Sequence, residues 1–269
     1  MGERTLVMGV LNVTPDSFSD GGRYLDAGAA VRRGLEIAEE GADILDIGGE
    51  STRPGSEGVT AETELGRVLP VIEGLRGRLK IAISIDTQKA AVARAALEAG
   101  AEMVNDVSAL RHYEEMGEVV QRAGVPVVLM HMRGKPKTMQ KSPFARDVMR
   151  DVMQGMREAL ERARRAGIPR GRVILDPGIG FGKSTEQNCE LLARLPELAR
   201  LGCPLLVGTS RKTFIGKLLG GVDEEERIWG TAASVAAAVL GGAQIVRVHD
   251  VKEMVQVVKV AEGIRKARR

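Results

Sequence analysis

Short apolar segments alternate with amphipathic segments along almost the whole chain. The runs Leu6–Leu11 and Ile81–Ile85 are each long enough for one buried strand. Six further apolar runs follow a glycine, the residue type that most readily ends a helix. These runs lie within Gly41–Asp46, Gly100–Asn105, Gly124–Met130, Gly167–Asp176, Gly202–Gly208 and Gly242–His249.

The segments between the strands have helical spacing of their apolar residues. They cover Ala27–Glu40, Glu62–Leu75, Lys89–Ala99, Glu114–Ala123, Ala145–Ala166, Glu186–Arg200, Lys212–Leu219, Arg227–Leu240 and Lys252–Lys266. Pro196 is expected to interrupt the sixth. A strand followed by a helix, about eight times over, predicts a parallel sheet with helical crossovers. Within 269 residues this order favours a closed (β/α)8 TIM barrel over an open doubly wound sheet, with residues 1–269 as a single domain.

Composition narrows the functional classes. The chain is 43% hydrophobic and 28% charged, which is typical of a globular protein. A net charge of +3 and 3% aromatic residues give no indication of nucleic-acid binding. Cys189 and Cys203 have no metal-ligand or redox spacing, and we find no signal peptide or membrane-spanning stretch. We therefore expect a reduced, cytoplasmic protein without nucleic-acid or membrane partners.

Polar residues follow almost every predicted strand. In a barrel the reacting groups lie at the carboxyl ends of the strands, so these residues would meet at one mouth. For any one of them a structural role is as plausible as a ligand role, but the convergence of the set favours a binding site. The set comprises Asn12, Glu50, Asp86, Asn105, Asp106, Asp176, Ser210, Arg211, Lys212, Arg247 and His249.

The eighth strand illustrates the expected geometry. Side chains alternate along a strand, so Arg247 and His249 share one face and Val246 and Val248 the other. If the valines face the helices, Arg247 and His249 point into the barrel mouth. A buried arginine needs a partner, which is either a bound anion or an acid on a neighbouring strand. The sequence leaves both possibilities open.

The residue types at this mouth suit a flat heterocycle with an anionic tail. The carboxylate of Asp176 or Asp86 can accept two parallel hydrogen bonds from an aminopyrimidinone edge. Lys212 can donate to a ring carbonyl or ring nitrogen. An arginine such as Arg247 can stack on a ring and also pair with phosphate, and Asn12 and His249 would complete a diphosphate site.

Several motifs together resemble those of one enzyme family, the dihydropteroate synthases. The resemblance runs from the first strand to the last, and the first two motifs are highly specific. The motifs are NVTPDSFSDGG (12–22), DIGGESTRPG (46–55), SIDT (84–87), VNDVS (104–108), DPGIGFGK (176–183), SRK (210–212) and RVHD (247–250).

The resemblance implies a TIM-barrel transferase of folate biosynthesis and a target of sulfonamides. Such an enzyme joins (7,8-dihydropterin-6-yl)methyl diphosphate to 4-aminobenzoate and releases diphosphate. Matched residue by residue, the pterin would be bound by Asp86, Asn105, Val107, Met130, Asp176, Lys212 and Arg247. The diphosphate would be bound by Asn12, Thr52, Arg247 and His249, with Mg²⁺ held through Asn12.

The family likewise implies a site for the second substrate and a mechanism. 4-Aminobenzoate would contact Phe18, Thr52, Arg53, Pro54, Phe181, Ser210 and Lys212. Diphosphate would leave first, and Asp20 would stabilise the resulting cation, so the catalytic set is Asp20, Lys212, Arg247 and His249. The resemblance also implies a homodimer through the late helices, where the small residues of Thr231–Ala238 are compatible with close packing between copies or on the barrel.

Two other functions share parts of this pattern. A methyltransferase that passes a methyl group from a pterin to a corrinoid would share the pterin residues. It would not need the 12–22 loop, or Arg247 and His249, for a diphosphate. A non-catalytic pterin-binding protein would bind the pterin diphosphate without releasing diphosphate.

Overall fold

The structure is a computed structural model that describes residues 4–14, 26–51, 58–113, 115–134 and 146–267. Within these residues, eight parallel strands form one sheet in the order β6-β5-β4-β3-β2-β1-β8-β7. The two end strands meet through a parallel bridge between Leu175 and Leu205, which closes the barrel. The strands are β1 (Leu6–Asn12), β2 (Ile44–Gly48), β3 (Ala82–Asp86), β4 (Met103–Asp106), β5 (Val127–Met130), β6 (Val173–Asp176), β7 (Leu206–Gly208) and β8 (Ile245–Val248). The closed barrel predicted from the sequence is confirmed.

Helices connect the strands, as the sequence predicts. Helix α6 ends before Pro196, and a 3₁₀ helix, Leu195–Leu201, continues the segment. Two helices follow β7, and α9 follows β8. The helices are α1 (Ala27–Glu39), α2 (Ala61–Leu75), α3 (Ala90–Ala99), α4 (Glu115–Ala123), α5 (Val148–Arg165), α6 (Thr185–Ala193), α7 (Thr213–Leu218), α8 (Ile228–Leu240) and α9 (Val251–Ala267). None of the helices in the described ranges is long and apolar enough to cross a membrane.

The glycines that precede six strands have the backbone geometry expected of helix ends. All six have a positive φ, from 65° at Gly124 and Gly202 to 124° at Gly100. A side chain with a Cβ is strained in this region, so glycine lets the chain leave each helix and turn towards the next strand. The six are Gly41, Gly100, Gly124, Gly167, Gly202 and Gly242.

The barrel interior consists of an apolar floor with a polar layer above it. The floor is a cluster of buried side chains, one from each of seven strands: Met8, Ile44, Met103, Val128, Ile174, Leu206 and Ile245. Side chains two residues further along a strand point to the same side. This step leads from Ile44 to Asp46, from Met103 to Asn105, from Ile174 to Asp176 and from Ile245 to Arg247. The floor therefore supports a layer of polar groups at the carboxyl ends of the strands.

The alternate residues of the strands face the helices. Val246 and Val248 belong to the large core between sheet and helices, whereas Ile245 belongs to the floor. The sequence-based assignment of the two faces of β8 is thus confirmed. Arg247 is directed into the barrel because its neighbours in sequence fill the outer core.

Replacing Ile174 by Ala tests the importance of the floor. Ile174 is 1% exposed, and a shortened side chain would leave a cavity beneath the polar layer. We expect the free energy of unfolding to fall by about 3 kcal/mol in urea denaturation. The control is Ile264→Ala on α9, where the side chain is 48% exposed; this change should cost less than about 1 kcal/mol. Equal losses at the two positions would contradict the assignment.

Candidate active site at the carboxyl ends of the strands

The register of the strands brings the predicted polar residues into one row. Asn12 is opposite Gly48, Gly48 is opposite Asp86, and Asp86 is opposite Asn105. On the other side of the barrel Met130 pairs with Asp176, and Gly208 pairs with Arg247. The strand ends therefore converge on one mouth, as the sequence predicts.

Arg247 lies at the centre of a buried hydrogen-bond network. Its Nε donates to Asp46 Oδ2 at 2.6 Å, and its Nη2 donates to Asp86 Oδ2 at 2.7 Å. Asn105 Nδ2 also donates to Asp46 Oδ2, at 3.0 Å. Of the two partners that the sequence left open for this arginine, a bound anion or an acid, the structure contains acids. They lie on β2 and β3, and not on β1 or β7, the strands that pair with β8. Because Arg247 is shared between two carboxylates, the network carries a net negative charge when both are ionised.

Asp46 is the member of this network that sequence reasoning missed. It is fully buried, and its Oδ1 has no hydrogen-bond partner among the described residues. The sequence does contain a signal for this residue: Asp46 is the one polar side chain on an apolar strand, two positions after the floor residue Ile44. An acid there requires a buried cation, and Arg247 supplies it.

Burial and charge shift the pKa values of the acids in the mouth. Burial raises the pKa of Asp86 to about 7; Arg247 opposes this shift, and Asp46 reinforces it. Burial also raises the pKa of Asp176, against the opposing effects of the Gly178 N–H and Lys212. Carboxyl groups with raised pKa values in a cleft are typical of functional sites.

The loop after β6 is held by two of its own residues. Asp176 Oδ1 accepts from the Gly178 N–H at 2.7 Å, and Lys183 Nζ donates to the carbonyl oxygens of Gly178 and Phe181 at 2.8 and 3.0 Å. Burial lowers the pKa of Lys183 to about 7. Gly178 has φ +65°, and a Cβ there would overlap the carbonyl oxygen of His131. The loop can adopt this path beside β5 only with glycine at 178.

An apolar wall adjoins Asp176. Val107, Met130 and Met132 form a buried cluster, and the partly buried Phe181 packs against it. Lys212 Nζ lies 4.0 Å from the centre of the Phe181 ring, within range of a cation–π interaction. The structure therefore brings together four residues that were predicted to bind substrates: Val107, Met130, Phe181 and Lys212.

The end of β8 is joined to the loop after β7. His249 Nδ1 lies 3.0 Å from Ser210 Oγ, and the His249 N–H donates to the same oxygen. Burial lowers the pKa of His249 to about 3, and Arg247, Arg211 and Lys212 lower it further. His249 is therefore neutral at pH 7. Arg211 forms a two-point ion pair with Asp250, whose carboxylate neutralises the charge of the guanidinium. The backbone of Arg211 has φ +59°.

A second buried ion cluster lies beside the mouth. Lys89 Nζ contacts Glu50 Oε2 at 2.6 Å and Glu64 Oε2 at 2.5 Å. Glu50 Oε1 also accepts from the Val59 N–H at 3.0 Å. These contacts connect the end of β2 to the start of α3, and they hold residues 50 and 59 close together.

Five predicted site residues, namely Phe18, Asp20, Thr52, Arg53 and Pro54, lie outside the residues that the structure describes. Asn12, the predicted metal ligand, lies at the end of β1 and is partly exposed. Across the described ranges no group of three or more His, Cys, Asp or Glu side chains is placed to hold a metal ion. Cys189 and Cys203 are not joined by a disulfide.

Comparison with known proteins agrees with this geometry. Residues 8–249 match the family model described as pterin binding enzyme. The chain is 51% identical over 263 residues to the dihydropteroate synthase of a Synechocystis species, covering 98% of this chain and 91% of that protein. It is 47% identical over 257 residues to that of Escherichia coli, covering 96% and 90%. The chain belongs to the dihydropteroate synthase family of pterin-binding enzymes.

Solved structures of family members have the same barrel. The Yersinia pestis dihydropteroate synthase, in a sulfonamide drug complex, superposes with a TM-score of 0.92 at 46% identity, covering 98% of this chain and 95% of that one. The Xanthomonas albilineans dihydropteroate synthase with 4-aminobenzoic acid gives 0.91 at 49% identity, covering 97% and 93%. The same enzyme with 7,8-dihydropteroate gives 0.88 at 46%, covering 97% and 94%.

The raised pKa of Asp86 predicts a pH-dependent stability. Its pKa is about 7 in the folded chain and about 4 when unfolded. Between these values the folded state retains a proton that the unfolded state releases, so the stability of the wild type falls as pH rises. Asp86→Asn removes this effect. From pH 4 to 7 we expect its free energy of unfolding, relative to wild type, to rise by on the order of 2 kcal/mol.

Urea denaturation at several pH values measures this difference, which should level off above pH 7. The control is Ile264→Ala on the exposed face of α9, which removes no titratable group, so its difference from wild type should be the same at every pH. A difference for Asp86→Asn that stays flat across the same range would show that folding does not raise the pKa of Asp86.

Proposed function

We infer that this chain is an enzyme of folate biosynthesis, a dihydropteroate synthase. It transfers the pterin methylene group of (7,8-dihydropterin-6-yl)methyl diphosphate to the amine of 4-aminobenzoate, giving 7,8-dihydropteroate and diphosphate. The observation that carries this conclusion is the convergence of Asp86, Asn105, Asp176, Lys212 and Arg247 at one barrel mouth, in a chain of this family.

We propose that the pterin binds at the deep end of the mouth. We propose that Asp176 accepts from the 2-amino group and ring N–H, because a carboxylate offers two acceptors side by side. Lys212 would donate to a ring acceptor, and Asp86 and Asn105 would bind the remaining polar edge. Val107 and Met130 would pack against the ring face. The 4.0 Å contact between Lys212 and Phe181 supports this arrangement, because it holds the ammonium group above the apolar wall.

The diphosphate would lie at the outer end, against Asn12, Thr52, Arg247 and His249. The Asp46 carboxylate keeps Arg247 charged: although burial disfavours the guanidinium, Asp46 and Asp86 raise its pKa. Asp46 would act as a positioning residue, because it accepts from both Arg247 and Asn105. The neutral His249 imidazole can donate one hydrogen bond to a phosphate oxygen without the cost of burying another charge.

The donor set at the end of β1 fits Mg²⁺. Magnesium in phosphate-transfer sites is held by one or two protein oxygens, with the substrate phosphates and water as the other ligands. The carboxamide oxygen of Asn12, partly exposed at the strand end, would be such a ligand. When bound, the ion would neutralise charge on the leaving diphosphate.

We propose a dissociative displacement. The bond between the pterin methylene carbon and the diphosphate oxygen breaks first, and the electron pair leaves with diphosphate towards Arg247 and His249. Asp20 would face the methylene cation. The amine of 4-aminobenzoate then attacks, and it loses its proton as the new C–N bond forms. The protein contributes placement and preorganised charge, without a nucleophilic side chain.

4-Aminobenzoate would enter above the pterin. Phe181 would contact its ring, and Ser210 and Lys212 would lie near its carboxylate. From the residues outside the described ranges, we propose Phe18, Thr52, Arg53 and Pro54 as the other contacts. The Lys89–Glu50 ion pair supports this site, because Glu50 precedes this loop and also binds the Val59 N–H behind it.

A homodimer in the cytoplasm is the proposed state of the enzyme. Large apolar side chains are exposed on the late helices, with Trp229 81% exposed on α8 and Leu218 60% exposed on α7. An apolar surface of this kind is typical of a protein–protein interface. The cytoplasmic location rests on the cysteine usage.

A diphosphate-release assay tests the function. With the pterin diphosphate as substrate, we expect rapid release only when 4-aminobenzoate and Mg²⁺ are both present. Asp176→Asn should weaken pterin binding by at least about 100-fold in calorimetry, because a donor would replace one of two acceptors. Glu186→Gln, an exposed change on α6, is the matched control. Tight pterin binding without release by the wild type would identify a non-catalytic binding protein.

Asp20→Ala tests the proposed cation. We expect kcat to fall by at least about tenfold, since an electrostatic contact present only in the transition state affects the chemical step. Calorimetric affinity for the pterin diphosphate should stay within about twofold of wild type. Turnover equal to that of the wild type would remove Asp20 from the mechanism.

A further inference from the structure

A polar cavity of about 290 Å³ lies on the outer side of β5, between the loops after β4 and β5 and helix α5. Its lining includes Arg111, His131 and Arg133 from the loops, and Asp151, Glu158 and Arg162 from α5. Among the described residues that we assign to substrates, only Met130 is in its lining. The cavity is therefore separate from the proposed diphosphate position at Arg247 and His249.

Backbone contacts hold two of the three guanidinium groups in place. Arg111 Nε donates to the Ser108 carbonyl at 2.8 Å, and its Nη2 donates to the Met132 carbonyl at 3.2 Å. Arg162 Nε donates to the Ala109 carbonyl at 2.8 Å. Carbonyl groups orient these side chains but do not neutralise them, as a carboxylate would.

Two buried polar atoms beside the cavity lack partners. His131 Nδ1 and Arg133 Nη1 have no hydrogen-bond partner among the described residues, and the His131 side chain is 8% exposed. A buried donor without an acceptor typically costs 1–3 kcal/mol. The imidazole fits in this position because residue 155 is a glycine. A Cβ there would lie 2.5 Å from His131 Cδ2, which is too close. Gly155 on this face of α5 therefore leaves space for the His131 ring, whose Nδ1 has no hydrogen-bond partner among the described residues.

Positive charge exceeds negative charge in the lining. Asp151 lies 3.4 Å from Arg133 and 3.6 Å from His131, and Glu158 accepts a hydrogen bond from Gln154. Two carboxylates thus face three guanidinium groups. Burial lowers the pKa of Arg162, and Arg111 lowers it further. Burial likewise lowers the pKa of His131 to about 2, reinforced by Lys183, Arg111 and Arg133. The cationic groups thus repel one another.

We propose that this cavity is a binding site for a phosphate-class dianion, distinct from the active site. Such an ion would offer acceptors to Arg111, Arg133 and Arg162, including the unpartnered Nη1 of Arg133. Arginine suits this role because its planar donors match phosphate oxygens in pairs. The cavity volume admits either inorganic phosphate or diphosphate. A bound ion would lie against Met130 and Met132, which also form the apolar wall beside Asp176.

Calorimetric titration of the full chain with inorganic phosphate tests the proposal. Arg162→Gln is the main variant, and Arg133→Gln is the second in case the first does not fold. Each should weaken binding at the cavity by at least about tenfold. Arg157→Gln, on an exposed part of the same helix, should leave the affinity within about twofold of wild type. His249→Ala distinguishes the two sites: it should remove anion binding at the barrel mouth and leave the cavity unchanged.

Parallel titrations with diphosphate identify the occupant. Tighter cavity binding of diphosphate than of phosphate assigns the site to the reaction product, and the reverse order assigns it to free phosphate. The proposal is overturned if wild-type protein shows no saturable binding of either ion. It is equally overturned if His249→Ala abolishes all binding while Arg162→Gln and Arg133→Gln have no effect.

Discussion

A single buried arginine, shared between two acids, organises the interior of this barrel. Arg247 crosses from β8 to Asp46 on β2 and Asp86 on β3, so one side chain links three strands at the level of the mouth. A buried guanidinium in this position is stable only beside carboxylates, and these buried carboxylates are stable only beside the guanidinium. The network also holds Asn105, through Asp46. Four polar side chains are thereby fixed before any ligand binds.

This arrangement suits a reaction in which charge separates. In the proposed mechanism the leaving diphosphate is a polyanion, and the methylene group that it leaves is a cation. An enzyme for such a step needs fixed charges at the right distances more than it needs a reactive side chain. The buried network fixes the Arg247 guanidinium at one end of the mouth, and the apolar wall at Phe181 and Met130 lies at the other.

Positive charge is compensated differently at the barrel mouth and in the cavity beside α5. At the barrel mouth, carboxylates compensate Arg247 directly. Beside α5, backbone carbonyls orient Arg111 and Arg162, and the two acids do not balance three guanidinium groups. Met130 and Met132 contribute both to this cavity and to the apolar wall beside Asp176, so the two sites are in contact through packed side chains.

The sequence alone determined the barrel, because a strand and a helix alternate with a glycine at most helix ends, and few folds accommodate eight such units. It also determined which residues stand at the strand ends, since side-chain alternation on β8 places Arg247 on the floor side. The partners of Arg247 were decided only by tertiary structure. Asp46 lies 201 positions away in the chain and reaches Arg247 because the sheet closes into a cylinder. The cavity beside α5 likewise has no sequence signature, because it arises where three separate segments pack together.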